Sequence, residues 1–244
     1  TNSTKKKSVS EVGHVKNVAN LGTGIQILQE MGPMYNPSNS NIQLTNLVSF
    51  KTAIEDTISQ INSKIPSYRN AVADREVAIE KLGRTSTKML NFSKSLNIST
   101  TDKENILSQV KKIRGKANTK TVNPETTETT GISTSQMSYD SRIANFSLLI
   151  NFVASHPEYQ PNENEIKIAN LLTFHQELST LSSIVNASGN QLITARLNRN
   201  NAMYLTDTNI IKVMNETKAY LKSLGQAAQP YYKAFVKLKF RDKD

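Results

Sequence analysis

Residues 35–50 and 159–174 lie over one another without a gap: Tyr35, Pro37, Ile42, Asn46, Leu47 and Phe50 coincide with Tyr159, Pro161, Ile166, Asn170, Leu171 and Phe174. Upstream, after one residue of slippage, Val18-Ala19-Asn20-Leu21 matches Ile143-Ala144-Asn145-Phe146. Downstream, Arg75 falls over Arg199. Lys94-Ser95-Leu96 falls over Lys222-Ser223-Leu224 after a short insertion, and Lys112-Ile113-Arg114 over Lys237-Leu238-Lys239. Matches that keep their order along the whole chain mark a tandem duplication, and any fold has to house one unit twice.

The duplication divides the chain into a basic N-terminal tail, residues 1–7, a first repeat, 8–116, a linker, 117–132, and a second repeat, 133–244. The linker is rich in Thr and nearly free of apolar residues, so it buries too little surface to offset its ordering entropy. Within the first repeat, Leu47, Phe50, Ile54, Ile58, Ile61 and Ile65 advance by threes and fours, the period of a helix face, and Pro66 is expected to stop that helix. Its counterpart runs from Asn164 to about Gly189. A third helix is expected over about 67–96, with Gly83 as its weak point, and its counterpart over about 191–224. Asp102 and Glu104 precede a short apolar set, Ile106, Leu107, Val110 and Ile113, as suits the positive end of a helix dipole. No alternating β-branched run bounded by hairpin dipeptides occurs. The expected fold is all-α: two tandem copies of a roughly four-helix unit forming a helical bundle, with a short turn at Pro66 laying consecutive helices antiparallel.

Val12-Gly13-His14-Val15-Lys16-Asn17-Val18-Ala19-Asn20, Tyr35-Asn36-Pro37-Ser38, Ala73-Asp74-Arg75-Glu76, Lys112-Ile113-Arg114-Gly115-Lys116 and, in the second repeat, Ser135-Gln136-Met137-Ser138-Tyr139-Asp140 resemble a family of duplicated, all-helical bacterial hypothetical proteins. The resemblance covers most of the chain. It implies the fold, and no activity, cofactor or partner.

Several classes of chemistry find no footing. The chain has no Cys and three His, so disulfide scaffolds, thiol catalysis and Cys/His zinc sites are excluded. His14, His156 and His175 share no ligand spacing and do not align between repeats, and they read as surface or capping residues. Neither a nucleophile elbow nor a phosphate-binding loop is present. Gly22-Thr23-Gly24 lacks the preceding strand of a dinucleotide site and reads as a loose helix turn or a packing contact. No apolar run approaches the ~18 residues of a membrane span. No catalytic, metal or cofactor residue is therefore assigned, and the chain is expected to be no enzyme.

Two pairs of repeat-equivalent residues stand out. Arg75 and Arg199 fit either a bidentate clasp on a phosphate or carboxylate, or an internal ion pair, with Glu76 or Glu55 as the partner for Arg75. Tyr35 and Tyr159, each two residues before a Pro, fit either a stacking surface for a ligand or a turn whose ring covers the next helix and whose hydroxyl finds an acceptor.

The formal net charge of +10 gathers at three places: Lys5-Lys6-Lys7; Lys111, Lys112, Arg114 and Lys116 at the end of the first repeat; and Lys233, Lys237, Lys239, Arg241 and Lys243 at the end of the second. Such clusters are candidate contacts for an anion or a nucleic acid, and equally suit helix C-termini. Together these features lead to a non-catalytic helical scaffold or assembly protein that binds another macromolecule, a protein partner first, through duplicated surfaces. The alternative is non-specific binding of nucleic acid or an anionic surface through basic helix ends. The Thr1–Lys7 start reads like one from which an initiator Met was removed, which points to the cytoplasm, or to the periplasm if Thr1 follows a removed leader.

Overall fold

A computed structural model describes residues 11–115 and 138–242; the basic tail, the linker, Lys116 and Lys243 lie outside the described residues. Seven α-helices follow in order: α1 (Glu11–Glu30), α2 (Leu44–Ser95), α3 (Thr100–Arg114), α4 (Tyr139–Ala154), α5 (Ile168–Asn200), α6 (Ile210–Ser223) and α7 (Gln229–Phe235). There is no strand among the described residues, and the protein is all-α.

Pro66 does not end its helix, against expectation: α2 runs through it for 52 residues. A helical Pro removes the hydrogen bond to the carbonyl four residues back and costs about 3 kcal/mol. Here both Pro66 and Asn62, whose carbonyl loses its donor, are exposed, so water serves that oxygen and core packing on either side offsets the remainder. Gly189 likewise fails to end α5, because the Tyr68 ring packs beside it, with Cε2 3.4 Å from where a Cβ would stand. Gly83, too, sits inside the unbroken α2. The helix expected over 191–224 is in fact divided: α5 widens into a π-helical turn over Asn201–Leu205, and Asn209 then caps α6 by accepting from the Lys212 N–H at 2.9 Å.

With both long helices continuous, the compact units cut across the sequence repeats. One unit joins residues up to Pro66 with those from Asn190 onward, and the other spans Ser67–Gly189. Neither coincides with residues 8–116 or 133–244: each unit takes the earlier part of one repeat and the later part of the other. Unit one buries Leu21 and Leu28 of α1, Leu47 and Ile54 of α2, and Val213 and Leu221 of α6 with Phe235 of α7. Unit two buries Leu82 and Met89 of α2, Ile106 and Ile113 of α3, Phe146 and Leu149 of α4, and Leu171 and Leu178 of α5.

The loops after α1 and α4 carry the same hydrogen bonds. The Tyr35 hydroxyl donates to the Ile42 carbonyl at 2.5 Å, and that of Tyr159 to the Ile166 carbonyl at 3.2 Å. Asn46 Nδ2 donates to the Ser40 carbonyl as Asn170 Nδ2 does to the Asn164 carbonyl. Each tyrosine ring also meets a second ring edge to face, Tyr35 against Tyr220 at 5.4 Å and Tyr159 against Phe92 at 5.2 Å. Burial pushes the Tyr35 hydroxyl up to about 12 and raises that of Tyr159 too. Both tyrosines therefore serve as struts of the turn.

Ile54 has no exposed surface. Ile54→Asp places a carboxylate among the apolar side chains of unit one, which costs about 3 kcal/mol or more, or forces its protonation. The melting temperature should drop by well over ten degrees in a calorimetric scan; an unchanged value would show that this stripe is not core.

Candidate macromolecule-binding surfaces

The two basic clusters rest on different supports. Lys111, Lys112 and Arg114 occupy the last turn of α3, where cations offset the negative end of the helix dipole. Gly115 closes that helix at φ 62°, its N–H donating to the Lys112 carbonyl. Lys111 and Arg114 are exposed and Lys112 is half-buried. Lys237, Lys239 and Arg241, read from sequence as a helix end, instead follow α7 on a non-helical segment. Its exposure alternates: the three cations point outward, while Leu238 and Phe240 are half-buried against the core of unit one.

Two asparagines on α1, buried Asn17 and half-buried Asn20, hold that segment. Asn17 reads both backbone groups of Arg241, donating from Nδ2 to its carbonyl at 2.8 Å and accepting from its N–H at 3.0 Å. Asn20 donates to the Lys239 carbonyl at 2.8 Å. Small residues on α1 admit the segment: a Cβ on Gly24 would stand 3.0 Å from Phe235 Cε2 and 3.4 Å from Leu238 Cδ1, so the Gly22-Thr23-Gly24 stretch is a packing contact. Asn17 also donates to the Tyr204 hydroxyl at 3.1 Å, which pairs with His14 Nδ1 at 2.8 Å. Burial raises the Tyr204 hydroxyl above its ordinary range, partly countered by the Asn17 hydrogen bond. His14, expected at the surface, is 3% exposed. Its partner lies 190 residues away, beyond the reach of any local pattern. His156 does serve as a cap, bonded to the Phe152 carbonyl at 2.9 Å. It also lies 3.4 Å from Asp102, whose carboxyl is held below its usual range first by the Ser99 hydroxyl and then by His156.

Arg75 and Arg199 occupy unlike surroundings. Arg199 is 5% exposed and donates from Nε and Nη2 to Asn200 Oδ1 at 3.1 and 2.8 Å. Arg75 is half-buried, its guanidinium 4.2 Å over the Tyr139 ring. The ion pairs expected for Arg75 are not formed, since Glu55 pairs with Lys51 and neither Glu76 nor any other acid pairs with Arg75 among the described residues.

Each unit also bears an open groove. In unit one, of about 620 Å³, it runs between Val15, Val18 and Ile25 of α1 and Val48 and Ile58 of α2, with Lys51 and Glu55 at its rim. In unit two, of about 610 Å³, it follows Leu172, Gln176, Thr180 and Leu181 along α5. Val48 and Leu172 coincide when the repeats are overlaid, and they are 41% and 52% exposed. No group of three His, Asp or Glu residues is placed to hold a metal, and no helix is long and apolar enough to cross a membrane, among the described residues. Compared with known proteins, the chain matches no family model, no curated protein and no solved structure.

Asn17→Ala removes both hydrogen bonds between Asn17 and the Arg241 backbone and the one to Tyr204, which keeps its bond to His14. Each buried group left unpaired costs about 1–3 kcal/mol. Trypsin under native conditions should then cut after Lys237, Lys239 and Arg241 at least several-fold faster than in the wild type, read by mass spectrometry of the released peptide. Equal rates would show that Leu238, Phe240 and the Asn20 bond hold the segment without Asn17.

Proposed function

We propose that this chain is a non-catalytic helical scaffold or assembly protein, built by tandem duplication, whose duplicated surfaces bind another macromolecule, a protein in the first instance. The supporting observation is the placement of Val48 and Leu172. An exposed aliphatic residue in the first two turns of each long helix costs solvation without contributing to a core, and in both units it lies in an open groove. The shared hydrogen bonding of the Tyr35 and Tyr159 loops sets the start of each long helix in the same local frame, in which Val48 and Leu172 hold the same position. Two like sites on one chain raise avidity when a partner engages both. A photo-crosslinking residue placed at position 48 or at position 172 should capture the same partner. Val48→Lys with Leu172→Lys should weaken that capture at least ten-fold while leaving the melting temperature within a few degrees. No adduct from either position, or unrelated adducts from the two, would remove this reading.

A second reading has its own support in the exposed Lys237, Lys239 and Arg241, whose backbone Asn17 and Asn20 hold in place. Cations on a fixed segment lose less conformational freedom on contact with phosphates. If these three and Lys111, Lys112 and Arg114 each neutralise one phosphate, the slope of log K against log salt on duplex DNA is about −5, from about −0.9 per phosphate. Replacing the six by Gln should flatten that slope with the helical circular dichroism unchanged. Absence of gel retardation at low ionic strength would leave the protein partner alone.

A further inference from the structure

The groups least explained by packing are two guanidiniums of unit two. Neither Arg75 nor Arg142 has an acid partner among the described residues. Charged side chains taken this far out of water are ordinarily paired. Arg142 is half-buried and donates from Nε to the Ile113 carbonyl at 2.5 Å, which caps α3 and leaves its terminal amines without an acceptor among the described residues. The Arg75 guanidinium carbon lies 4.2 Å over the Tyr139 ring centroid, and its Nε is buried with no acceptor among the described residues. The two meet at the same tyrosine: Arg75 stacks on the ring, and Arg142 stands three residues along α4, on the face that Tyr139 shares. Asp140, the carboxylate nearest Arg142 in sequence, accepts from Ser182 Oγ at 2.7 Å, and Asp74 and Glu76, which flank Arg75, are exposed and form no ion pair with it among the described residues.

Burial lowers the proton affinity of Arg142, partly countered by Tyr139. A singly charged ligand would leave one of the two guanidiniums uncompensated, whereas a dianion answers both. The planar fork of a guanidinium suits tetrahedral oxyanions, which take two parallel N–H bonds from each arginine. The Tyr139 ring fixes the plane of the Arg75 fork before any ligand arrives, which reduces the entropy lost on binding.

We propose that Arg75 and Arg142, converging on Tyr139, form a binding site in unit two for a phosphate dianion, either free or carried as the terminal group of a phosphorylated ligand. The site is independent of the grooves at Val48 and Leu172. It also differs from polyanion contact through Lys237 to Arg241, because it takes one doubly charged group rather than a row of phosphodiesters.

Isothermal titration of the full chain with inorganic phosphate, against sodium chloride at matched ionic strength, tests it. Saturable binding of one phosphate per chain is expected, with a melting temperature that rises with phosphate and not with chloride. Arg75→Gln should weaken binding at least ten-fold. Arg75→Lys should fail to restore it, since an ammonium keeps the charge and loses both the fork and the stack. Because Arg142 also caps α3, Arg142→Gln is read only where its circular dichroism matches the wild type; Arg75→Gln, which removes no hydrogen bond to the described residues, carries the test. A parallel titration with glycerol 3-phosphate separates the two sources: tighter binding than inorganic phosphate assigns an esterified ligand, weaker binding the free ion. No saturable heat with either compound, or wild-type affinity in Arg75→Gln, overturns the site. Cross-linking at positions 48 and 172 should persist in Arg75→Gln, so failure of this site and failure of the scaffold reading are told apart.

Discussion

Everything else in this protein depends on α2 continuing through Pro66 and α5 through Gly189. Had the chain reversed at Pro66, Leu47, Ile54 and Ile61 would have had to bury their stripe against the helix directly following. Because it does not reverse, Leu47 and Ile54 share one core with α1 and with α6 and α7, about 150 residues later. The stripe at Leu82 and Met89 is in turn covered by α4 and the early part of α5. A broken hydrogen bond at one exposed proline is a few kcal/mol; a complete core is many times that, so the core decides. One consequence is that neither repeat can complete a core by itself, which ties the two halves of the chain into one folding problem.

The paired tyrosine loops show how the same sequence is used twice under that arrangement. Tyr35 and Tyr159 make identical local bonds to a carbonyl seven residues on, yet each finds its aromatic neighbour in the other repeat, Tyr220 for one and Phe92 for the other. The local part of the loop is written in the repeat itself. The ring contact belongs to the exchange of halves, and it holds both exchanges in the same way.

The chemistry is uneven between the units. Unit one spends its buried polar groups on itself: His14, Asn17, Tyr204 and the backbone of Arg241 satisfy one another. Unit two leaves Arg75 and Arg142 without an acid, although Arg75 and Arg199 occupy equivalent places in the sequence.

The all-helical class, the helix faces, the Tyr-x-Pro turns and the three concentrations of basic charge were legible in the sequence, because each rests on contacts or periodicities within a dozen residues. The sequence marked Arg75, Arg199, Tyr35 and Tyr159 as equivalent, and could not say what any of them touches. Only the tertiary structure decided that Pro66 lies inside a helix, that Lys237, Lys239 and Arg241 ride on a non-helical segment held by Asn17, and that His14 is buried against Tyr204. The reason is physical. A local signal such as a proline states the cost of a conformation, whereas the surface that repays the cost is supplied by residues far along the chain, and their arrival is a property of the fold as a whole.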